Sequence, residues 1–197
     1  MRDIVADDVT YREMNPDELY RIAEIHLEVL PRDFSSFLGK EFLKEHFYPA
    51  LFGSSDVALC ALYRQQVVGY VLFSSDESLY RRLVMRNWAT MLRFSLAHLV
   101  NIRFLKYIVE VFLLLAFQDS RLHGPELVYI GVVPEFQGGG VGSQLISRSI
   151  DSLEQAGFSS SWVKTLSSTP QNVRFYEKAG FKIVRTYLGR TYLKWAK

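Results

Sequence analysis

Between Val132 and Ile146 the chain reads VVPEFQGGGVGSQLI: an apolar run ended by proline, three consecutive glycines, then apolar residues at helical spacing. Few folds accommodate that order. ELVYIGVV ahead of it alternates as a strand, and the residues from about Val141 to Ala156 read as a helix closed by Gly157. Glycines at a strand-to-helix junction let backbone N–H groups approach a bound group closely, often a phosphate. Spacing narrows the choice of phosphate. A nucleoside-triphosphate loop needs a lysine after its glycines, and none follows here. A dinucleotide fingerprint starting at Gly138 or Gly140 would place its third glycine on Ser143 or Leu145, and it comes too late in the chain for a full dinucleotide domain.

The flanking sequence supplies the rest of an α/β unit. VTYREM reads as a strand. Asn15-Pro16-Asp17-Glu18 reads as a helix start, with an apolar stripe at Leu19, Ile22, Ala23 and Ile25 and a stop near Pro31. LPRDFSSFLG reads as a loop and LGKEFLKEHFYPALF as a second helix. DVALCALYRQQVVGYVLFSS reads as two strands joined at Arg64-Gln65-Gln66. That order is β-α-α-β-β, and the residues after about 124 read β-α-β-α-β-β. Between them, about 77–124 reads as an extra helical segment broken near Val100-Asn101. Its apolar run VFLLLAF is far shorter than the roughly 18 to 20 residues a membrane span requires.

Composition adds exclusions. A net charge of +2 gives no global attraction to nucleic acid, so no nucleic-acid partner is expected. One cysteine, Cys60, and four scattered histidines suggest neither a disulfide nor a metal site. MRDIVADDVTYREM lacks an apolar signal core, so a cytoplasmic location is the expectation.

Two blocks carry a family likeness. Gln137-x-x-Gly140-x-Gly142, preceded by Val133-Pro134-Glu135, and Asn172-Val173-Arg174-Phe175-Tyr176-Glu177-Lys178-Ala179-Gly180-Phe181 resemble the two signature segments of the GNAT N-acetyltransferase family. Similarity is close from about Glu126 to Arg185, looser from Val9 to Ser75, and absent between. The resemblance implies an α/β (α+β) fold with a mixed, mostly antiparallel sheet flanked by helices. It would form a single domain, 1–197, with a helical insertion at about 77–124. It also implies acetyl-CoA as cosubstrate and no metal. Gln137, Gly138, Gly139, Gly140, Val141, Gly142 and Ser143 would meet the pyrophosphate, with glutamine in place of the commoner arginine. Ile130, Val132 and Val133 would run along the pantetheine and thioester, Gly131 would suit a bulge, and Asn172 would bond the pantetheine amides.

In the same likeness Tyr176 is the general acid for the departing thiolate. The base stays open. The strand holds no internal carboxylate, leaving Glu126 at its start, Tyr129 acting through water, or His26 and Glu24 on the first helix. Acceptor contacts are expected from His26 and from Arg32, Phe34 and Phe37 in the loop 31–37, which also carries the anionic Asp33. Arg185, Tyr187 and Arg190 on the last hairpin offer an anionic subsite. The reaction expected is acetyl transfer to a primary amine of a small molecule, an amino sugar or sugar nucleotide foremost. Transfer to a protein N-terminus or lysine, and a non-catalytic acyl-CoA sensor, are the alternatives. The basic, apolar residues 81–117 suggest peripheral membrane contact, or a helical pair that packs on the sheet or forms a homodimer.

Overall fold

The computed structural model describes residues 8–31, 33–90 and 122–197. Its strands are β1 (Val9–Glu13), β2 (Val57–Tyr63), β3 (Gln66–Ser74), β4 (Glu126–Val132), β5 (Ser160–Leu166), β6 (Lys182–Tyr187) and β7 (Arg190–Ala196). They form one sheet in the order β1-β2-β3-β4-β5-β7-β6. Every pairing is antiparallel except β4 with β5, which is parallel. This is the mixed, mostly antiparallel sheet the sequence predicts.

Alternation along β3 sends neighbouring side chains to opposite faces. Tyr70 meets Tyr48 and His26 on one face, whereas a Cβ added at Gly69 would meet Leu145 on the other at 3.3 Å. Helix α1 (Leu19–Val29) covers the first face and buries Ile22, Ala23 and Ile25, the stripe read from the sequence. The helix after the glycine loop covers the second face and buries Val141, Leu145, Ile146 and Leu153. At the chain's first helix start, Glu18 accepts the Asn15 backbone N–H at 2.8 Å, and one 3-10 turn, Pro16–Glu18, precedes α1.

Two local expectations change. The stretch after Pro31 contains a short helix, α2 (Phe34–Phe37), capped by the Asp33 carboxylate on the Ser35 N–H at 3.2 Å. The second helix is α3 (Gly39–Phe42) and α4 (Tyr48–Phe52) joined by a wider π turn, Leu43–Phe47. Pro49 has no N–H to continue an even α ladder there.

The extra segment begins with α5 (Leu79–Arg86), whose Arg82 is held by Asp76 and by Ser54 Oγ at 3.2 Å. Met85 and Trp88 are exposed. Residues 91–121, with the expected break at Val100-Asn101 and the basic Arg93, Arg103 and Lys106, lie outside the described residues. Among those described, no helix is long and apolar enough to cross a membrane.

Candidate functional site

The sheet comes apart in the middle. β4 and β5 share one register pair, Glu126 with Trp162, reinforced by the Trp162 N–H to Pro125 O at 3.0 Å. Beyond that point the strands diverge, and a cleft of about 2020 Å³ runs between them. A drug-sized ligand fills roughly 300–1,000 Å³, so this cleft exceeds the volume of one such molecule. Its walls come from both strands, from α5, from the loop carrying Asp33, from the glycine loop, and from α7 (Pro170–Lys178).

At one end lies the glycine loop. Gly138 and Gly140 adopt φ of +79° and +84°, a left-handed conformation that other residues enter at a cost of roughly 1–2 kcal/mol. Gly140 caps α6 (Val141–Gln155), whose first N–H groups have no acceptor within the helix and face an exposed loop. Free N–H groups at the positive end of a 15-residue helix are of the kind that attract an anion. The Gln137 side chain is occupied within the loop itself. Its Nε2 donates to the Val132 carbonyl at 2.8 Å, stapling the loop to the end of β4.

Of the strand residues expected along a ligand, Val133 is otherwise engaged, because its N–H donates to Val68 O at 2.9 Å on the β3 side. Alternation then turns the backbone groups of Ile130 and Val132 toward the gap. Gly131 forms no bulge. The register slips between Leu72 and Phe73, opposite Val128, and Gly131 is required instead by the Tyr70 ring, 2.7 Å from where its Cβ would stand. Tyr176 of α7 lines the cleft, packed edge-on against Phe175 and Phe181. Burial pushes its phenol up, and no described residue hydrogen-bonds its hydroxyl. Asn172 is exposed on the same wall.

The carboxylates sort differently from expectation. Glu126 pairs with Lys164 at 2.6 Å, both largely buried, and so clamps β4 to β5 where they part. Freeing it as a base would strand a buried lysine charge. Glu24 is tied to Lys40 at 2.8 Å and to Arg21 at 3.2 Å, outside the cleft walls. Tyr129 lines the cleft, but its hydroxyl donates to Asp33 Oδ2 at 3.0 Å. Burial first, and then Asp33, push its phenol well up, so it holds its proton.

Asp33 is the residue the sequence mentioned only as an anion in its loop. The carboxylate is 36% exposed and lines the cleft. It collects hydrogen bonds from the Tyr129 hydroxyl, from Ser35 Oγ and from the Ser35 backbone N–H. Behind Ser35 stands His26, fully buried and therefore out of an acceptor's reach. His26 Nε2 lies 2.9 Å from Ser35 Oγ, its Nδ1 lies 2.7 Å from Tyr48 Oη, and Tyr48 lies 2.6 Å from Tyr70. The Ser35 proton points at Asp33, so Ser35 accepts from Nε2–H, Nδ1 accepts from Tyr48, and Tyr48 accepts from Tyr70. Every donor in the chain is oriented toward the carboxylate, the arrangement in which neighbouring hydrogen bonds reinforce one another. Of the other residues expected to touch an acceptor, Phe37 lines the cleft. Arg32 and the Phe34 side chain lie outside the described residues. Arg190 reaches the cleft wall, whereas Arg185 stacks on Tyr192 at 4.7 Å and on Tyr187 at 5.5 Å.

His26 predicts an acid-side weakness. Burial outweighs the attraction of Asp33 and pushes its imidazole down from 6.5 to about 4. The unfolded chain therefore binds a proton that the folded chain refuses. Stability is full above about pH 6.5 and falls as pH drops toward about 4, by on the order of 3 kcal/mol. Thermal midpoints of wild type and His26→Gln between pH 7 and 4 check this: the variant should show the shallower acid slope, and parallel slopes would reject it.

The profile of the Acetyltransferase (GNAT) family matches residues 19–181 of the chain. Among curated protein sequences none matches significantly. Among solved structures, the chain is similar to the PaiA N-acetyltransferase from Thermoplasma acidophilum, in complex with coenzyme A. The TM-score is 0.60 and the identity 12%, over 96% of this chain and 99% of that one. It is similar to the ribosomal-protein-S18-alanine N-acetyltransferase from Escherichia coli at TM-score 0.60 and 13% identity, over 95% and 93%. A GNAT family acetyltransferase from Elizabethkingia anophelis with acetyl-CoA bound matches at TM-score 0.53 and 14% identity, over 97% and 99%.

Proposed function

The chain belongs to the Acetyltransferase (GNAT) family, and from that premise we propose that it moves an acetyl group from acetyl-CoA to a primary amine of a small molecule. The observation that carries this reading is the gap between β4 and β5, whose walls include both the glycine loop at the start of α6 and Tyr176. The residues fit acetyl-CoA. Loop and helix N–H groups from Gly138 to Ser143 suit its pyrophosphate, Ile130 and Val132 offer strand edges to the pantetheine amides, and Asn172 borders the same path. Acetyl-CoA supplies an activated acyl group, so the enzyme need provide no nucleophile. The protein has only to orient the amine, to supply a proton to the departing sulfur from Tyr176, and to exclude water.

For the acceptor, the cleft wall offers Tyr129, Asp33, Phe37, Tyr80 and Trp162. Aromatic walls beside the Asp33 carboxylate suit a compact cationic amine, and amino sugars and amino-bearing sugar nucleotides head the test panel. Release of free CoA is measured with acetyl-CoA and a panel of amino sugars, alkylamines, arylalkylamines and short peptides with free N-termini. Turnover on a small amine is the expected result. Turnover on peptides alone would move the acceptor to protein N-termini or lysines. CoA binding without turnover on any amine would replace transfer with sensing.

A further inference from the structure

We infer that Asp33 and Tyr129 together form the acceptor-receiving pair of this cleft, with the Asp33 carboxylate drawing in the acceptor's ammonium and Tyr129 passing the ammonium proton to it. The inference rests on the acetyl-transfer reading and names its base. Among the carboxylates weighed for that role, Glu126 and Glu24 are committed to lysine partners. Asp33 faces the cleft and receives neutral donors, the Tyr129 and Ser35 hydroxyls and the Ser35 backbone N–H. Its nearest cationisable neighbour among the described residues, His26 Nε2 at 3.8 Å, is buried and neutral near pH 7. Among the described residues no cation compensates the carboxylate charge, which suits it to a cationic ligand.

The proton path is short. The amine donates to the free lone pair of Tyr129 Oη while the Tyr129 hydroxyl, already aimed at Asp33 Oδ2 from 3.0 Å, transfers its own proton. Ammonium and carboxylate become amine and carboxylic acid, with Tyr129 unchanged. The amine lone pair then forms the C–N bond, and the C–S bond breaks with its electrons going to sulfur. The collapsing intermediate gives up the second amine proton, which returns to Tyr176 in place of the one Tyr176 delivers to sulfur. After the product leaves, Asp33 returns its proton to solvent through its exposed edge, so one proton is released per turnover. His26, Tyr48 and Tyr70 are positioning residues, since they act only through Ser35.

The test uses Asp33→Asn, Asp33→Glu and Tyr129→Phe in the full chain. Asparagine also caps helices well, so Asp33→Asn removes the charge and keeps the α2 start. Calorimetry measures binding of 2-phenylethylammonium, n-butylammonium, glucosammonium and their neutral N-acetyl counterparts to the CoA-loaded protein, and turnover is measured beside it. Asp33→Asn should weaken ammonium binding at least tenfold, leave the N-acetyl compounds and CoA within about threefold, and lower kcat/KM by at least a hundredfold. Asp33→Glu should restore part of the loss. Tyr129→Phe should lower kcat by about a hundredfold with little change in ammonium binding, a split that a purely structural role would not produce. Ammonium binding indifferent to Asp33, or absent from wild type, overturns the inference. So does an active Tyr129→Phe with wild-type kcat. Turnover that ignores both residues sinks this inference and leaves acetyl transfer standing. Asp33-dependent binding without turnover sinks transfer and leaves the carboxylate's recognition role.

Discussion

Tyr176→Phe is expected to lower kcat by on the order of 10²- to 10⁴-fold, the usual contribution of a positioned general acid. The affinity for CoA should barely move. The substitution removes one oxygen and leaves the ring between Phe175 and Phe181, so packing is preserved. No described residue hydrogen-bonds the hydroxyl, so no protein partner is orphaned. Thermal stability should therefore stay within about 1 kcal/mol of wild type, as for most substitutions that break no buried network. Because burial pushes the phenol up, it stays protonated through the neutral range and remains a competent donor. Steady-state kinetics with CoA-binding and unfolding controls decide the matter. Near-normal kcat in the variant would assign the thiolate's proton to water and make Tyr176 a packing residue.

Gly131→Ala should be the most destabilising single methyl in β4. Its Cβ would stand 2.7 Å from Tyr70 Cε1 and 3.1 Å from Val29 Cγ2. Tyr70 is fully buried and tethered through its hydroxyl to Tyr48 at 2.6 Å, so the ring cannot swing aside. Overpacking of this kind costs roughly 1–3 kcal/mol, or a fall of several degrees in Tm for a chain of this size. The cost should shrink in a Tyr70→Leu background, because the colliding ring is then gone. Thermal midpoints of the two single variants and the double variant measure the coupling, and an unchanged cost beside leucine would place the strain elsewhere. Movement of Tyr70 also disturbs the chain ending at Asp33, so Gly131→Ala should lose acceptor affinity before it loses CoA affinity.

The parts of the site legible in the sequence are those whose geometry is local. Gly138 and Gly140 need their conformations because of the turn they occupy, and the helix that follows is set by its own periodicity. Alternation and turn signals also make the order of strands and helices readable, whereas the mixed, mostly antiparallel sheet follows from the family resemblance. What escaped depends on residues far apart in the chain. Asp33 meets Tyr129 across 96 positions, and Glu126 meets Lys164 across a strand pair that no local pattern announces. His26 looked available because a helical stripe does not reveal which member will face Tyr48. One local clue to Asp33 was present: an acid two residues before Ser35 is a capping arrangement, which marks a short helix rather than a loop.

The single register pair between β4 and β5 also bears on how the molecule holds together. Strands β1 to β4 form one hydrogen-bonded ladder and β5 to β7 another, each with its own helical cover. Such ladders behave as separate cooperative units wherever few bonds cross between them. A ligand lying along the seam belongs to both units at once. Its binding energy then enters the cohesion of the whole protein, and without it the seam is where the molecule most easily opens.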